Sequence, residues 1–309
     1  MWADRNRSWI HTVVLGGFAL PHIWSRTLIV TAISVIVTIV YEEIDQIHYS
    51  ITATPFTLVG LSLGVFLGFR NNSAYDRFWE GRKLWGSLVN TSRSITRQLL
   101  TLIEPAPGDG PAADASARRG VHLVIAFVHA LRHHLRESDP SESLAAVLPA
   151  SEAERLAAED NVPLAILTVL GDHVRDARRE GRLHVMHVPV LEASLVSLTD
   201  IQGACERIKS TPIPFSYTVL MHRIVAFYCA LLPFGLMDTI KWATPFVVLA
   251  ISYCFFGLDA IGDEIEQPFG TDTNDLALEA ISRTIERNLR RSLDEPMPPP
   301  LAPARGVLT

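Results

Sequence analysis

Long apolar stretches alternate with polar segments along this chain of 309 residues. A helix that crosses the hydrocarbon core of a bilayer needs about 20 mostly apolar residues, and four stretches approach that length. The predicted spans run from about Thr27 to Tyr41, from Gln46 to Phe69, from about Ile224 to Met237 and from Trp242 to Leu258. The pattern therefore predicts an all-α integral membrane protein with four transmembrane helices and a helical cytosolic domain.

The segments between and after these stretches have the polar composition of a soluble domain. Apolar residues recur at i, i+3 and i+4 in VHLVIAFVHALRHHLRES, which predicts an amphipathic helix that ends at Asp139–Pro140. Pro and Gly break this pattern across 105–120, so a loop is predicted there. Further helices are predicted near 142–159, 162–180, 190–209 and 276–293, followed by a disordered Pro-rich end.

Five regions follow from this alternation. They are an interfacial N-terminal segment at 1–26, transmembrane helices 1 and 2 at 27–70, a cytosolic helical region at 71–210, transmembrane helices 3 and 4 at 211–258, and a cytosolic C-terminal helix with its tail at 259–309. The first region contains a short apolar run without an A-x-A cleavage pattern. It is typical of a helix at the membrane surface rather than of a signal peptide.

Basic residues flank the predicted spans on one side. Arg5, Arg7 and Arg26 precede the first span, and four basic residues between 70 and 83 follow the second. The loop between these two spans contains three acidic residues and no Lys or Arg. Because Lys and Arg are enriched in cytoplasmic loops, both termini and the region 71–210 are predicted to be cytoplasmic.

Composition and charge exclude several other classes of protein. Apolar residues make up 48% of the chain and charged residues 19%, whereas soluble domains usually contain about 25% charged residues. A net charge of −6 without a basic face does not indicate nucleic-acid binding. Cys205, Cys229 and Cys254 are far apart in the sequence and lack the CxxC or Cys/His spacing of a zinc site. They are therefore interpreted as packing residues.

The second span carries two adjacent helical strips. Gly60, Gly64 and Gly68 recur every four residues and share one face, which lets helix backbones approach closely in lipid. Leu61, Val65 and Phe69 repeat at the same interval, about 100° further round the helix. This strip could face lipid beside an ordinary glycine packing motif. Alternatively, several copies could surround an axis and gate a pore by dewetting, and spacing alone does not decide between the two.

Several motifs resemble the bacterial branch of the bestrophin family. They are GFRNNSAYDRFWEGRKLWGSLVN at 68–90, TPIPFSYTVLMHR at 211–223, LPFGL at 232–236, EIEQPFGTDTNDL at 264–276 and TIERNL at 284–289. The motifs follow the family order over most of the chain. The segment around 105–120 and the final twenty residues lie outside the resemblance.

The resemblance implies a homopentamer around one central pore in the inner membrane of a bacterium. It places the hydrophobic pore neck at Leu61, Val65 and Phe69, and chloride is the ion that the family implies by default. It also implies a second constriction at the cytosolic exit, after Glu180–Gly181–Arg182. Met186, Val188 and Val190 are the candidates for this constriction. The same stretch contains Pro189 and has two more residues than the family pattern.

The resemblance also raises the question of calcium. Animal bestrophins bind calcium at positions that match Asp272 and Asp275, and calcium takes six to eight oxygen ligands. The acidic run is shorter here, so no cofactor is expected to be required, and calcium stays one possibility. The alternative is that either residue caps the helix that follows.

Charge at the predicted outer mouth bears on the sign of the ion. Glu42, Glu43 and Asp45 lie there, and repetition in a ring would attract cations and repel anions. A channel selective for Na⁺ or K⁺ is therefore the alternative to an anion channel. A membrane receptor or enzyme is the remote alternative, because no set of nucleophile, base or cofactor loop is apparent. The expected partners are further copies of the chain, the lipid bilayer and small permeant ions, without nucleic acid.

Overall fold

A computed structural model describes residues 20–43, 52–104, 112–303 and 308, with side chains from 23 and from 115 in the segments that begin within helices. Within these ranges the chain is mostly helical and contains no β-strand, which confirms the all-α prediction. The helices are α1 (Leu20–Glu43), α2 (Ala53–Leu102), α3 (Ala112–Arg136), α4 (Ser141–Ala145), α5 (Ala150–Ala157), α6 (Val162–Arg179), α7 (Val188–Ser210), α8 (Phe215–Ile240), α9 (Thr244–Glu266) and α10 (Leu278–Ser292).

The described residues form two compact units. The apolar unit comprises described residues up to 78 and those from 212 to 267, and the polar unit comprises 79–211 and the described residues from 268 onward. The division falls within α2, between Phe78 and Trp79. The surface helix predicted before residue 20 lies outside the described residues.

Among the described residues, three stretches are long and apolar enough to cross a membrane. They are Ile23–Glu43, Ala53–Leu102 and Phe215–Glu266. The last stretch contains two helices, α8 and α9, which a 3₁₀ turn at Lys241–Ala243 separates. The second helix continues well past Phe69, where the apolar pattern ends, because no Pro interrupts the polar sequence that follows.

Small residues mark the inner face of α1 in the apolar unit. Thr27, Ser34 and Thr38 are buried on this helix, as are Thr244 and Ser252 on its neighbour α9. Small side chains let the two backbones approach closely, as helices in membranes commonly do. Most of the large apolar side chains of α1 point outward instead, although Ile23 and Val30 are buried. Leu28, Ile29, Ile36 and Ile39 are all exposed in the single chain.

The polar unit is built around α3. Nearly every side chain from 121 to 131 on this helix is buried, because α6, α7 and α10 pack around it. The predicted helix is therefore present, but along this stretch it is buried on all sides rather than on one amphipathic face. A helix that is apolar all round belongs in the centre of a helical domain.

Two predicted elements in the polar unit are wrong in detail. The loop at 105–120 was predicted too long, since α3 begins at Ala112. Four alanines lie between 112 and 117, just before Gly120, and alanine has the highest helix propensity, so composition there outweighs the neighbouring glycines. The single helix predicted near 142–159 is two helices, because Pro149 has extended backbone angles and starts α5.

A buried carboxylate joins α3 to α10. Glu286 accepts a hydrogen bond from His129 Nε2 at 3.0 Å and another from Arg290 Nε at 2.9 Å. Burial by itself raises the pKa of Glu286, but the hydrogen bonds and charges of His129 and Arg290 outweigh it and lower this pKa to about 2. The ionised form therefore stabilises the contact between the two helices.

Glu286→Gln is expected to lower the free energy of unfolding of the polar unit by about 3 kcal/mol, because a buried charge pair loses one partner. The pKa of Glu286 is below its unfolded value of 4.5, so its contribution is present above that pH and is lost as the pH falls toward 2. Chemical denaturation of the purified protein, followed by circular dichroism at pH 7, 5 and 3, measures both effects. Glu159→Gln, at an exposed position, is the control. An unchanged acid response in Glu286→Gln would contradict the assignment.

Candidate functional site

One face of α2 packs into the apolar unit. Leu63, Leu67, Arg70 and Ala74 lie on this face at helical spacing, and each is almost fully buried. Leu63 and Leu67 join the core formed by residues of α1, α8 and α9. Because three of these four residues are apolar, the buried arginine is the exception on this face.

The predicted neck residues lie on another face of the same helix. Leu61 is 70% exposed, Val65 51% and Phe69 62%. The most apolar window of this helix is 17% buried inside the chain, against 28% for each of the other two candidate spans. The strip is thus an apolar surface that the described residues leave uncovered.

The three glycines of the neighbouring strip, Gly60, Gly64 and Gly68, differ in their surroundings. A Cβ atom on Gly60 would lie 2.5 Å from the hydroxyl of Tyr228, so this glycine permits a close approach of α2 and α8. At Gly64 and Gly68 a Cβ atom would meet no atom within 4 Å. Two of the three positions therefore face space that the part of the chain described by the structure does not fill.

Arg70 lies at the centre of a polar cluster. Its guanidinium donates from Nη1 to Asp259 Oδ1 at 2.7 Å and to the carbonyl of Asp259 at 3.3 Å. It also donates from Nη2 to Asp263 Oδ1. Asp259 and Asp263 are four residues apart on α9, so both carboxylates face α2.

His222 brings α8 into the same cluster. Its Nδ1 lies 2.6 Å from Asp259 Oδ2, and its Nε2 lies 3.5 Å from Asp263 Oδ2. Both ring nitrogens therefore face carboxylate oxygens. We refer to Arg70, Asp259, Asp263 and His222 as the polar anchor.

The polar anchor contains atoms that could hold a metal. Ligand atoms of His222, Asp259 and Asp263 lie within 4.8 Å of one another. However, Arg70 already occupies one oxygen of each carboxylate, and its charge opposes a second cation. The arrangement fits an ion-pair cluster better than a metal centre.

The sequence pattern did not predict this cluster. Asp259 and Asp263 follow the last predicted span, which ends at Leu258, yet Asp259 is 1% exposed. The available signal was an arginine directly after an uncharged span, together with two carboxylates at i and i+4. A charge at that position needs a partner, and the spacing offers a pair of them.

The other predicted site residues lie apart from the polar anchor along the chain. Glu42 and Glu43 lie at the end of α1, and Asp45 lies outside the described residues. Met186 is 71% exposed in a 3₁₀ turn, Val190 is 43% exposed on the first turn of α7, and Val188 is partly buried. Each of these positions stays a prediction as a functional residue.

The predicted calcium residues form a self-contained turn. Asp275 is buried, and its Oδ2 accepts a hydrogen bond from the Asp272 backbone N–H at 2.7 Å. Burial is the largest of the effects that raise the pKa of Asp275 to about 6. Asp272 is exposed. Neither residue caps α10, whose N-cap is Ala277. This pair alone falls short of the six to eight oxygens that calcium takes, so calcium binding stays a prediction.

Comparison with known proteins identifies the family. Residues 1–291 match the family model of bacterial and fungal bestrophin proteins. The chain belongs to the bestrophin family. A crystal structure of a bacterial bestrophin homolog from Klebsiella pneumoniae is 36% identical, with a TM-score of 0.82 over 89% of this chain and 99% of that chain. The resemblance predicted from the motifs is thereby confirmed.

Curated relatives in the bestrophin family are described as ion channels. A voltage-dependent anion channel-forming protein of Ralstonia nicotianae is 44% identical over 292 residues, which cover 94% of each chain. One with the same description from Escherichia coli K12 is 37% identical over 291 residues, covering 94% of this chain and 93% of that protein. Bestrophins are ion channels and not enzymes, so the enzyme alternative is set aside.

Gly262→Ala tests how closely α2 and α9 pack beside the polar anchor. A Cβ atom there would lie 2.5 Å from Asn71 Oδ1, and Asn71 is held by a hydrogen bond to the carbonyl of Leu258. We expect the substitution to lower stability by about 1–2 kcal/mol, as overpacking does, despite the better helix propensity of alanine.

The matched control is Gly257→Ala on the same helix, where the nearest atom to the new Cβ would be 4.0 Å away. Thermal unfolding in detergent compares the two variants. A Gly262→Ala protein as stable as Gly257→Ala would show that the helices are not packed as described.

Proposed function

We propose that this chain forms a bestrophin-type channel that passes small monovalent ions passively through a hydrophobic neck. The proposal rests on the exposed apolar strip of Leu61, Val65 and Phe69 on α2, the helix whose most apolar window is 17% buried among the described residues. Exposed apolar residues inside a membrane can face lipid or a pore. Membership of a family of ion channels favours the pore.

The channel is proposed to be a homopentamer with four transmembrane helices per chain. The helices α1, α8 and α9 have 24, 26 and 23 residues, and each is long enough to cross the hydrocarbon core. The open space beside Gly64 and Gly68 suits close packing against a neighbouring copy. The segments 27–70 and 211–258 lie in the bacterial inner membrane in this proposal, with both termini and the polar unit in the cytoplasm.

The neck controls flux by excluding water. Five copies of each neck residue would form three stacked apolar rings, and an ion that passes must shed part of its hydration shell there. Such a constriction can dewet and close without any large movement of the helices. At the cytosolic exit, Met186 is our preferred constriction residue because it is the most exposed of the three candidates.

An anion is the first candidate for the permeant ion. The relatives described as anion channel-forming proteins support this choice. The positive edge of an aromatic ring can also stabilise an anion, and Phe69 supplies one such ring in each copy.

A monovalent cation is the second candidate, supported by charge at the end of α1. Glu42 and Glu43 lie there, and the hydroxyl of Tyr41 donates to Asp238 Oδ1 at 3.0 Å, which adds a third carboxylate at the same end of the apolar unit. Five copies would place at least ten negative charges around the mouth. A field of that sign concentrates cations and repels anions.

Replacing the neck side chains with alanine tests the channel proposal. We expect Leu61→Ala/Val65→Ala/Phe69→Ala to raise ion flux by about tenfold, which corresponds to a barrier lowered by about 1.4 kcal/mol, because wider rings hold water more readily. Flux is measured with an ion-sensitive dye in liposomes that contain the purified protein. Reversal potentials in asymmetric NaCl then decide between anion and cation.

Phe66→Ala is the matched control, because Phe66 is 52% exposed on the same helix but lies about 100° away from Val65. Its flux should match that of the unsubstituted protein. Absence of flux from both the unsubstituted protein and the triple variant would refute the channel.

A further inference from the structure

Arg70 is a buried charge directly beside the proposed neck. It follows Phe69 in sequence, and its side chain is fully buried between α2 and α9. A buried charge without partners is strongly disfavoured, so Arg70 can stay in this position only while its carboxylate partners remain in place.

Other contacts of α2 within the apolar unit are largely apolar. Leu63 and Leu67 pack into the core, and the ring of Phe56 lies 6.5 Å from that of Tyr228. Apolar contacts are non-directional, so they limit rotation of a helix about its own axis less than hydrogen bonds do. Two further contacts are directional: Arg77 donates from Nε to the carbonyl of Glu266 at 3.1 Å, and Asn71 donates from Nδ2 to the carbonyl of Leu258 at 3.0 Å.

Rotation of α2 could bring Arg70 to the position that Phe69 occupies. Successive residues on an α-helix are about 100° apart, so a turn of that size would bring Arg70 to the angle that Phe69 occupies. The guanidinium would then replace an aromatic ring at the inner end of the neck. Five such charges around an axis would attract anions and repel cations.

We infer that the polar anchor of Arg70, Asp259, Asp263 and His222 is a positioning device that holds the neck strip toward the axis and keeps the charge of Arg70 out of the pore. The inference rests on the proposed function. The two carboxylates fix the guanidinium from α9, and His222 fixes the same carboxylates from α8. Three helices are thus joined at the level of the neck residue Phe69.

Asp259→Asn/Asp263→Asn tests this device. Arg70 keeps its charge but loses both charged partners, so it is expected to turn toward water in the pore. The permeability ratio of chloride to sodium should rise by about tenfold, and the reversal potential in asymmetric NaCl should move toward the chloride equilibrium potential. Glu264→Gln is the matched control, because it removes one negative charge from the same helix without touching the contacts of Arg70.

A second variant separates the charge of Arg70 from general damage to the fold. Arg70→Gln/Asp259→Asn/Asp263→Asn lacks the guanidinium, so its permeability ratio should return to that of the control. If the double variant does not assemble, Asp263→Asn alone replaces it, because that side chain is 40% exposed and tolerates the change more readily. It should shift the ratio in the same direction by a smaller amount.

The outcomes are distinguishable from failure of the channel itself. An unchanged permeability ratio in an assembled and conducting double variant would overturn the inference and leave the channel intact. An equal shift in the variant without Arg70 would also overturn it, because the guanidinium could not be the cause. Absence of flux from the unsubstituted protein would refute the proposed function and this inference together.

Discussion

The buried charge of Arg70 is the constraint on which the arrangement of the apolar unit depends. A guanidinium that is fully buried must be matched by negative charge, and Asp259 supplies it at 2.7 Å. Asp263 adds a second carboxylate, and the ring of His222 contacts both carboxylates, so the cluster links three helices. The orientation of α2, and with it the direction of Leu61, Val65 and Phe69, follows from this match.

The rest of the apolar unit follows a different rule from a soluble core. On α1, small side chains such as Ser34 and Thr38 face the neighbouring helices, while Ile29 and Ile36 face outward. This is the distribution expected when the surroundings are as apolar as the interior and close backbone packing supplies the stability. The polar unit shows the opposite distribution, with the largely apolar stretch 121–131 of α3 at the centre and charged residues such as Glu159 outside.

The chain's local patterns predicted its local structure well. The length of the apolar stretches predicted α1, α8 and α9, and the four-residue spacing of Leu61, Val65 and Phe69 predicted the exposed strip of α2. Each of these signals is contained within a single segment of the sequence. The polar anchor could not be found in this way, since Arg70 and its partners are 189 and 193 residues apart along the chain. The start of α3 at Ala112 was missed because nearby glycines and prolines masked the helix propensity of alanine.

The most direct measurement of the pore-lining face is a cysteine scan of α2. Each position from 58 to 69 is replaced in turn by cysteine in a Cys254→Ser background, where Cys205 and Cys229 are buried, and a water-soluble thiol reagent is added during flux. We expect block at Leu61, Val65 and Phe69, with no effect at Leu63 and Leu67. Block at Leu63 and Leu67, or a lack of block at the three neck positions, would contradict this expectation.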